Sequence, residues 1–213
     1  MNTSLEHNLK RESEVPPDIE SSSDQYALRF RGDVGEWFLQ HQAKKVLQLL
    51  AQIGPSQTVL EVGGGHTQLT PSLVKSGHKV TVQGSDLGCA LRVRRSFSPR
   101  EIPFVTSSLY EPPFANAAFD VVVSIRMLAH VKDTERFLKA CARVARKAVI
   151  VDFPSLRNFN FLSNVLFRLK KSIESDTRPY RCFRPSHPGR LLRESGFDER
   201  AIVPQFFLPR FQT

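Results

Sequence analysis

Between residues 36 and 153 the apolar positions change period again and again, and each change predicts an element. "EWFLQHQAKKVLQLLAQI" (36–53) sets Leu39, Ala43, Val46, Leu47 and Leu50 on one stripe of a helix that Gly54-Pro55 stops. "TVLEV" (58–62) is a short apolar run broken only by Glu61, which predicts a strand; "PSLVKS" predicts a brief helix ended by Gly77, and "HKVTVQGSD" (78–86) a second strand. A helix over "ALRVRRSF" and a strand over "IPFVT" (102–106) follow. "FDVVVSI" (119–125) is then a β-branched run of the kind enclosed on both faces of a parallel sheet. "DTERFLKACARVARK" (133–147) predicts a helix capped by Asp133, burying Phe137, Cys141, Val144 and Ala145 and exposing Arg136, Lys139, Arg143 and Arg146. "AVIVDF" (148–153) predicts a fifth strand, "GRLLRESGF" a last helix and "AIVPQFFLPRF" a strand interrupted by proline. Strands alternating with helices predict an α/β, Rossmann-like, doubly wound, mostly parallel sheet flanked by helices.

The periodicity fails at two places. Residues 1–25 are rich in Ser, Glu, Asp and Pro and are expected to be a disordered N-terminal segment, leaving 26–213 as one domain, in keeping with a total of 213 residues. The stretch 158–183 is longer than a connection needs to be and forms a candidate lid or substrate region. Its pattern puts Phe161, Val165, Leu169 and Ile173 on one side and Arg168 and Lys171 on another, followed by Arg178, Tyr180 and Arg181. A cover over a hydrophobic or anionic acceptor, a membrane-touching surface and a plain helix with solvated basic residues all fit it.

Composition narrows the class. At 40% hydrophobic and 24% charged residues, with no run of membrane-helix length and no signal-peptide core, the chain is expected to be cytoplasmic. Three widely spaced cysteines, Cys89, Cys141 and Cys182, point to free thiols and to no metal site. The net charge of +9 raises nucleic acid as a partner, with "LRVRRSFSPR" (91–100) the densest patch, although one solvated helix face explains that patch as well.

Ligands of doubly wound sheets bind beyond the carboxyl ends of the strands, where the strand order reverses. "LEVGGGHT" lies at such an end. Gly63 and Gly65 can admit a ligand against backbone N–H groups, and Asp86, ending the second strand, can take both hydroxyls of a ribose. A nucleotide-like ligand follows. A GxGxxG dinucleotide fingerprint would need glycine at Gln68, which weakens a nicotinamide-dependent oxidoreductase without removing it.

An acid followed by GxGxG, matched by Glu61, Gly63 and Gly65 with Thr67 in the last glycine's place, resembles the first motif of class I S-adenosylmethionine (SAM)-dependent methyltransferases, closest to the small-molecule branch that includes quinone C-methyltransferases. The likeness runs from about 58 to 153. It implies SAM as cofactor, held by Glu61, Gly63, Gly64 and Gly65, with Asp86 as ribose ligand and Leu87 at the adenine, while Arg126 is placed either at the methionine end through its backbone or toward an anionic substrate. Where the family often carries an acid for the adenine amino group, this sequence has Ser107-Ser108-Leu109, so Ser108, Leu109 or backbone takes that role. Thr67 is expected to cap the following helix. "EPPF" (111–114) looks like the NPPF motif of amino-methyltransferases but precedes the fourth strand, and reads as a loop turn. His130 is the candidate general base, with packing near the cofactor as its structural alternative; His66 is a second candidate that bonding within the loop explains equally well. Arg178 and Tyr180 are candidate substrate residues. The resemblance implies methyl transfer to a small or lipid-like acceptor. A nicotinamide oxidoreductase and a non-catalytic nucleic-acid-binding protein are the alternatives. The family sheet ends on two further strands, of which the sequence shows one, so the last family strand is expected to be missing or irregular.

Overall fold

The computed structural model describes residues 15–156 and 180–205. Five strands form one wholly parallel sheet in the order β3-β2-β1-β4-β5: β1 Thr58–Val62, β2 Lys79–Gly84, β3 Phe104–Thr106, β4 Phe119–Ser124 and β5 Ala145–Val151. The chain winds outward from β1 through β2 to β3, then returns to the other side of β1, so the order reverses between β1 and β4. Side chains alternate strictly there. Val59, Val121 and Val123 join Val46 and Leu50 of the long helix α3 (Asp33–Ile53) in one core cluster. Leu60, Val62 and Val122 face Phe137, Leu138, Cys141 and Val144 of α6 (Thr134–Val144) in the other. Burial on both faces is why these strands read as continuous apolar runs. Fully burying a side chain such as Leu50 or Phe137 stabilises the fold by about 1.5–3 kcal/mol.

The remaining described helices are α1 (Pro17–Ser21), α2 (Asp24–Leu28), α4 (Thr70–Lys75), α5 (Leu91–Ser96) and α7 (Ser186–Glu194). Asp133 caps α6 as expected, its side chain accepting from Arg136 N. The helix nevertheless ends at Val144, and Ala145–Lys147 already belong to β5. The reason is the buried Asp120, which accepts from Arg146 Nη2 at 2.6 Å and lies 2.9 Å from Lys147 Nζ, so that both cations are drawn to the start of the ladder.

Residues 15–25 are not loose. Pro17 starts α1, Ser23 caps α2 by accepting from Tyr26 N, and Asp18 and Ser21 are buried. Asp24 is paired with Arg92 and Arg95 of α5 at 2.7 Å each, so two cations of the basic patch hold this segment. Among the described residues no strand follows β5, and the candidate lid lies mostly outside them. Residues 111–114 are loop, with Pro112 O and Phe114 O both accepting from Arg143. Among the described residues no disulfide forms, and Cys89 and Cys141 are buried. No helix of the described residues is long and apolar enough to cross a membrane, and none of their His, Cys, Asp and Glu side chains form a metal-binding group.

Candidate functional site

At the switch point the carboxyl ends of β1 and β4 are joined by Ser124 Oγ, which donates to Val62 O at 2.9 Å. Gly63 follows with φ +71°, the left-handed region that glycine enters without steric cost. A Cβ at Gly63 would lie 2.6 Å from Sδ of Met127, and one at Gly65 2.2 Å from Ser22 Oγ and 2.5 Å from the carbonyl oxygen of Cys89. The bare backbone expected to admit a ligand is thus packed in part by the chain's own groups. Thr67 does not cap a helix. It is itself left-handed at φ +57°, its hydroxyl donating to Gly65 O, and α4 begins at Thr70. It therefore keeps the backbone shape that a glycine would adopt, at a conformational cost of about 1–2 kcal/mol.

Under this loop lies a buried polar cluster. Glu61 is fully enclosed; its Oε2 accepts from Thr70 Oγ1 at 2.7 Å, and among the described residues its Oε1 has no hydrogen-bond partner. Burial pushes the Glu61 carboxyl up to about 7, against the opposing pull of the Thr70 hydrogen bond and the Arg126 cation. His66, also buried, is held neutral, its pKa driven well below the usual imidazole value by burial and by the cations of Arg126 and Arg92. Its Nδ1 accepts from Gln68 N, which accounts for His66 as a loop-forming residue. Arg126 is left-handed at φ +64°, with its N–H donating to Asp152 Oδ1 and its guanidinium 4.8 Å over the ring of Phe30. Asp152, at the end of β5, is braced by Gln42 of α3 at 2.9 Å. Backbone held in this region at a strand end is a recurrent feature of functional sites.

The neighbouring edge is open. Asp86 is exposed, with Oδ1 accepting from Gly88 N at 2.6 Å, and Leu87 is 74% exposed. Ser108 is exposed, its hydroxyl accepting from Tyr110 N, whereas Leu109 is only 3% exposed and part of the core. The loop carrying Ser107 and Ser108 is fixed by the buried Gln83, whose Nε2 donates to Ser107 Oγ at 2.9 Å and to Ser108 O at 3.0 Å. His130, in the β4–α6 loop, stands 5.7 Å, centroid to centroid, from the ring of Tyr180. Arg181 N donates to Ala129 O, so the chain returns against the β4–α6 loop. The structure thus brings Glu61, Gly63, Gly64, Gly65 and Arg126 together, sets Asp86, Leu87 and Ser108 on the adjoining rim, and pairs His130 with Tyr180. Arg178 lies outside the described residues.

Residues that were not singled out from sequence also enter the site: Asp18, Ser22, Phe30, Gln83, Met127 and Asp152. Gln83 and Asp152 carried a signal, as polar residues ending otherwise buried strands. The others are placed by tertiary contacts that no local pattern encodes.

A nucleoside-bearing sulfonium suits these residues. The Glu61 Oε1, buried without a donor, fits an ammonium group, and the exposed Asp86–Leu87 rim fits a ribose and an adenine. Residues 60–151 match a family model described as a methyltransferase domain. The ubiquinone biosynthesis O-methyltransferase of Nitrosospira multiformis is 30% identical over 71% of this chain and 66% of its own length. That of Aromatoleum aromaticum is 32% identical over 72% of this chain and 69% of its own length. The chain belongs to the class I SAM-dependent methyltransferase family. It spans less than two thirds of some relatives, including 62% of the demethylmenaquinone methyltransferase of Mycolicibacterium paratuberculosis, which is 28% identical. Among solved structures, magnesium protoporphyrin IX methyltransferase from Synechocystis PCC 6803, crystallised with bound S-adenosylhomocysteine (SAH), superposes with a TM-score of 0.62 at 18% identity, covering 80% of this chain and 82% of that one. A SAM-dependent methyltransferase from Thermotoga maritima gives 0.56 at 23% identity, covering 76% and 75%. Both share the fold.

Proposed function

We propose that this methyltransferase-family chain transfers the methyl group of SAM to a small acceptor, and that the acceptor enters beside His130 and Tyr180. The observation that carries this reading is the buried Glu61 with an unused oxygen beneath the glycine turn, next to an exposed acid, Asp86, at the end of the neighbouring strand. Glu61 would accept from the cofactor's ammonium group, Asp86 from its ribose hydroxyls, and Leu87 and Ser108 would flank its adenine. SAM supplies an already activated methyl group, so the protein's task is to align the acceptor and, for a weak nucleophile, to receive its proton. His130, half-buried against Tyr180, is the residue to take that proton. Relatives whose names state a role act in ubiquinone biosynthesis or on demethylmenaquinone. A hydroxylated aromatic with an apolar tail is therefore the first acceptor to test.

Calorimetric titration with SAM, SAH and NAD tests the cofactor. Binding of both sulfur nucleotides and no binding of NAD is expected, and the reverse would overturn the reading. Labelled-methyl transfer to a catechol-type quinone precursor tests the acceptor, and His130→Ala turning over at the parental rate would exclude His130 as base. The nucleic-acid alternative loses its strongest patch, since Arg92 and Arg95 are engaged by Asp24 and Arg94 donates to Ile102 O.

A further inference from the structure

The N-terminal helix α1 makes an unusual commitment of charge. Asp18 is fully buried, and among the described residues no cationic side chain pairs with it. Its two oxygens are taken instead by one residue of the β2-end loop: Ser85 N donates to Oδ2 at 2.7 Å and Ser85 Oγ to Oδ1 at 2.5 Å. Cys89 Sγ lies 3.5 Å from Oδ2. Burying a carboxyl group is costly unless its acceptors are satisfied, and here they are satisfied only by the loop that carries Asp86. One turn further along the same segment, the Ser22 hydroxyl packs against the bare face of Gly65. The helix and its C-cap therefore touch the turns that follow both β1 and β2.

We propose that Asp18 is a positioning residue for ribose recognition: by holding Ser85 through both its N–H and its hydroxyl, it fixes the direction in which Asp86 is presented to the cofactor. The inference rests on the reading of Asp86 as ribose ligand. Asp18 touches the loop and not the cofactor. Asp86 Oδ1 is already engaged by Gly88 N inside the loop, so the carboxyl group can turn toward a ligand only as the loop allows. Loss of the Asp18 bonds leaves Ser85–Cys89 to be ordered by the ligand, a cost that falls on binding.

The test is calorimetric titration of Asp18→Asn with SAH and with an SAH analogue lacking both ribose hydroxyls. Asparagine keeps the shape, and its amide nitrogen cannot accept from Ser85. SAH affinity is expected to fall about tenfold, and affinity for the analogue, which meets this loop at Leu87 but not at Asp86, to fall by a clearly smaller factor, about twofold to threefold. Equal losses for both ligands would show a general structural role and overturn the proposal, as would parental SAH affinity in a folded variant. Should Asp18→Asn not fold, Ser85→Ala removes only the hydroxyl bond. It is then expected to cost SAH about threefold and the analogue clearly less, and equal losses, or none for SAH, overturn the proposal. Asp86→Ala separates the two readings: if it binds SAH like the parent, the ribose assignment itself fails, whatever Asp18 does.

Discussion

Glu61 offers the sharpest test of the site, because its burial predicts a dependence on pH that a single substitution removes. The folded protein holds the Glu61 proton up to about pH 7, against an ordinary value of 4.5. A carboxyl group whose folded-state pKa is raised stabilises the fold fully below its unfolded value and loses that contribution as pH rises through the folded one. The window therefore runs from about pH 4.5 to about pH 7, with stability falling across it. At about 1.4 kcal/mol per pH unit the whole loss is about 3 kcal/mol. Glu61→Gln keeps the volume and an acceptor for Thr70 and carries no charge. The stability difference between variant and parent should thus be near its minimum at pH 4.5 and rise in the variant's favour by about 3 kcal/mol by pH 8. Urea denaturation at half-unit intervals of pH, without cofactor, measures it directly. A difference that stays flat within about 0.5 kcal/mol would show that Glu61 is not buried as a lone acid. SAH should bind the parent more tightly as pH rises through 7, since its ammonium needs the ionised carboxylate, and should bind Glu61→Gln weakly at every pH.

Other expectations are more local. Gly63→Ala forces a left-handed alanine against Met127 and should cost about 2–4 kcal/mol in urea titration; a loss under about 0.5 kcal/mol would contradict the packing at that turn. Asp86→Ala, exposed and outside the core, should weaken SAH binding about tenfold while lowering the unliganded stability by no more than about 1 kcal/mol, the loss of its bond from Gly88 N. Asp120→Ala removes the acceptor of Thr58 N and Oγ1 and of Arg146 at the far, amino end of the sheet. It should lower stability by about 2–3 kcal/mol while SAH affinity in the folded variant stays parental, which calorimetry checks. The Thr58 N–H and the two cations hold the Asp120 carboxyl well below its ordinary value, so this contribution should fade only in strong acid.

The strands and the glycine turn at the carboxyl end of β1 could be read from the sequence because they depend on local order: β-branched runs, glycine and proline stops, and an acid at fixed spacing from a glycine turn. Those signals located β1 to β5, Glu61, Gly63 and Asp86 before any contact was known. They failed where the deciding contact is distant. Asp120 ends α6 early by drawing Arg146 and Lys147 into β5, although the helical period runs on past Val144. The polar composition of residues 15–25 reads as loose chain, yet Asp18 meets Ser85 and Asp24 meets Arg92 and Arg95, partners some seventy residues away that exist only once the sheet has formed. Thr67 reads as a helix cap, and the fold sets it in a glycine's conformation. The sequence by itself determined the order of the elements and set Glu61, Gly63 and Asp86 at the carboxyl ends of the first two strands. Only the tertiary structure decided which groups enclose that place, because burial and charge pairing are properties of neighbours in space.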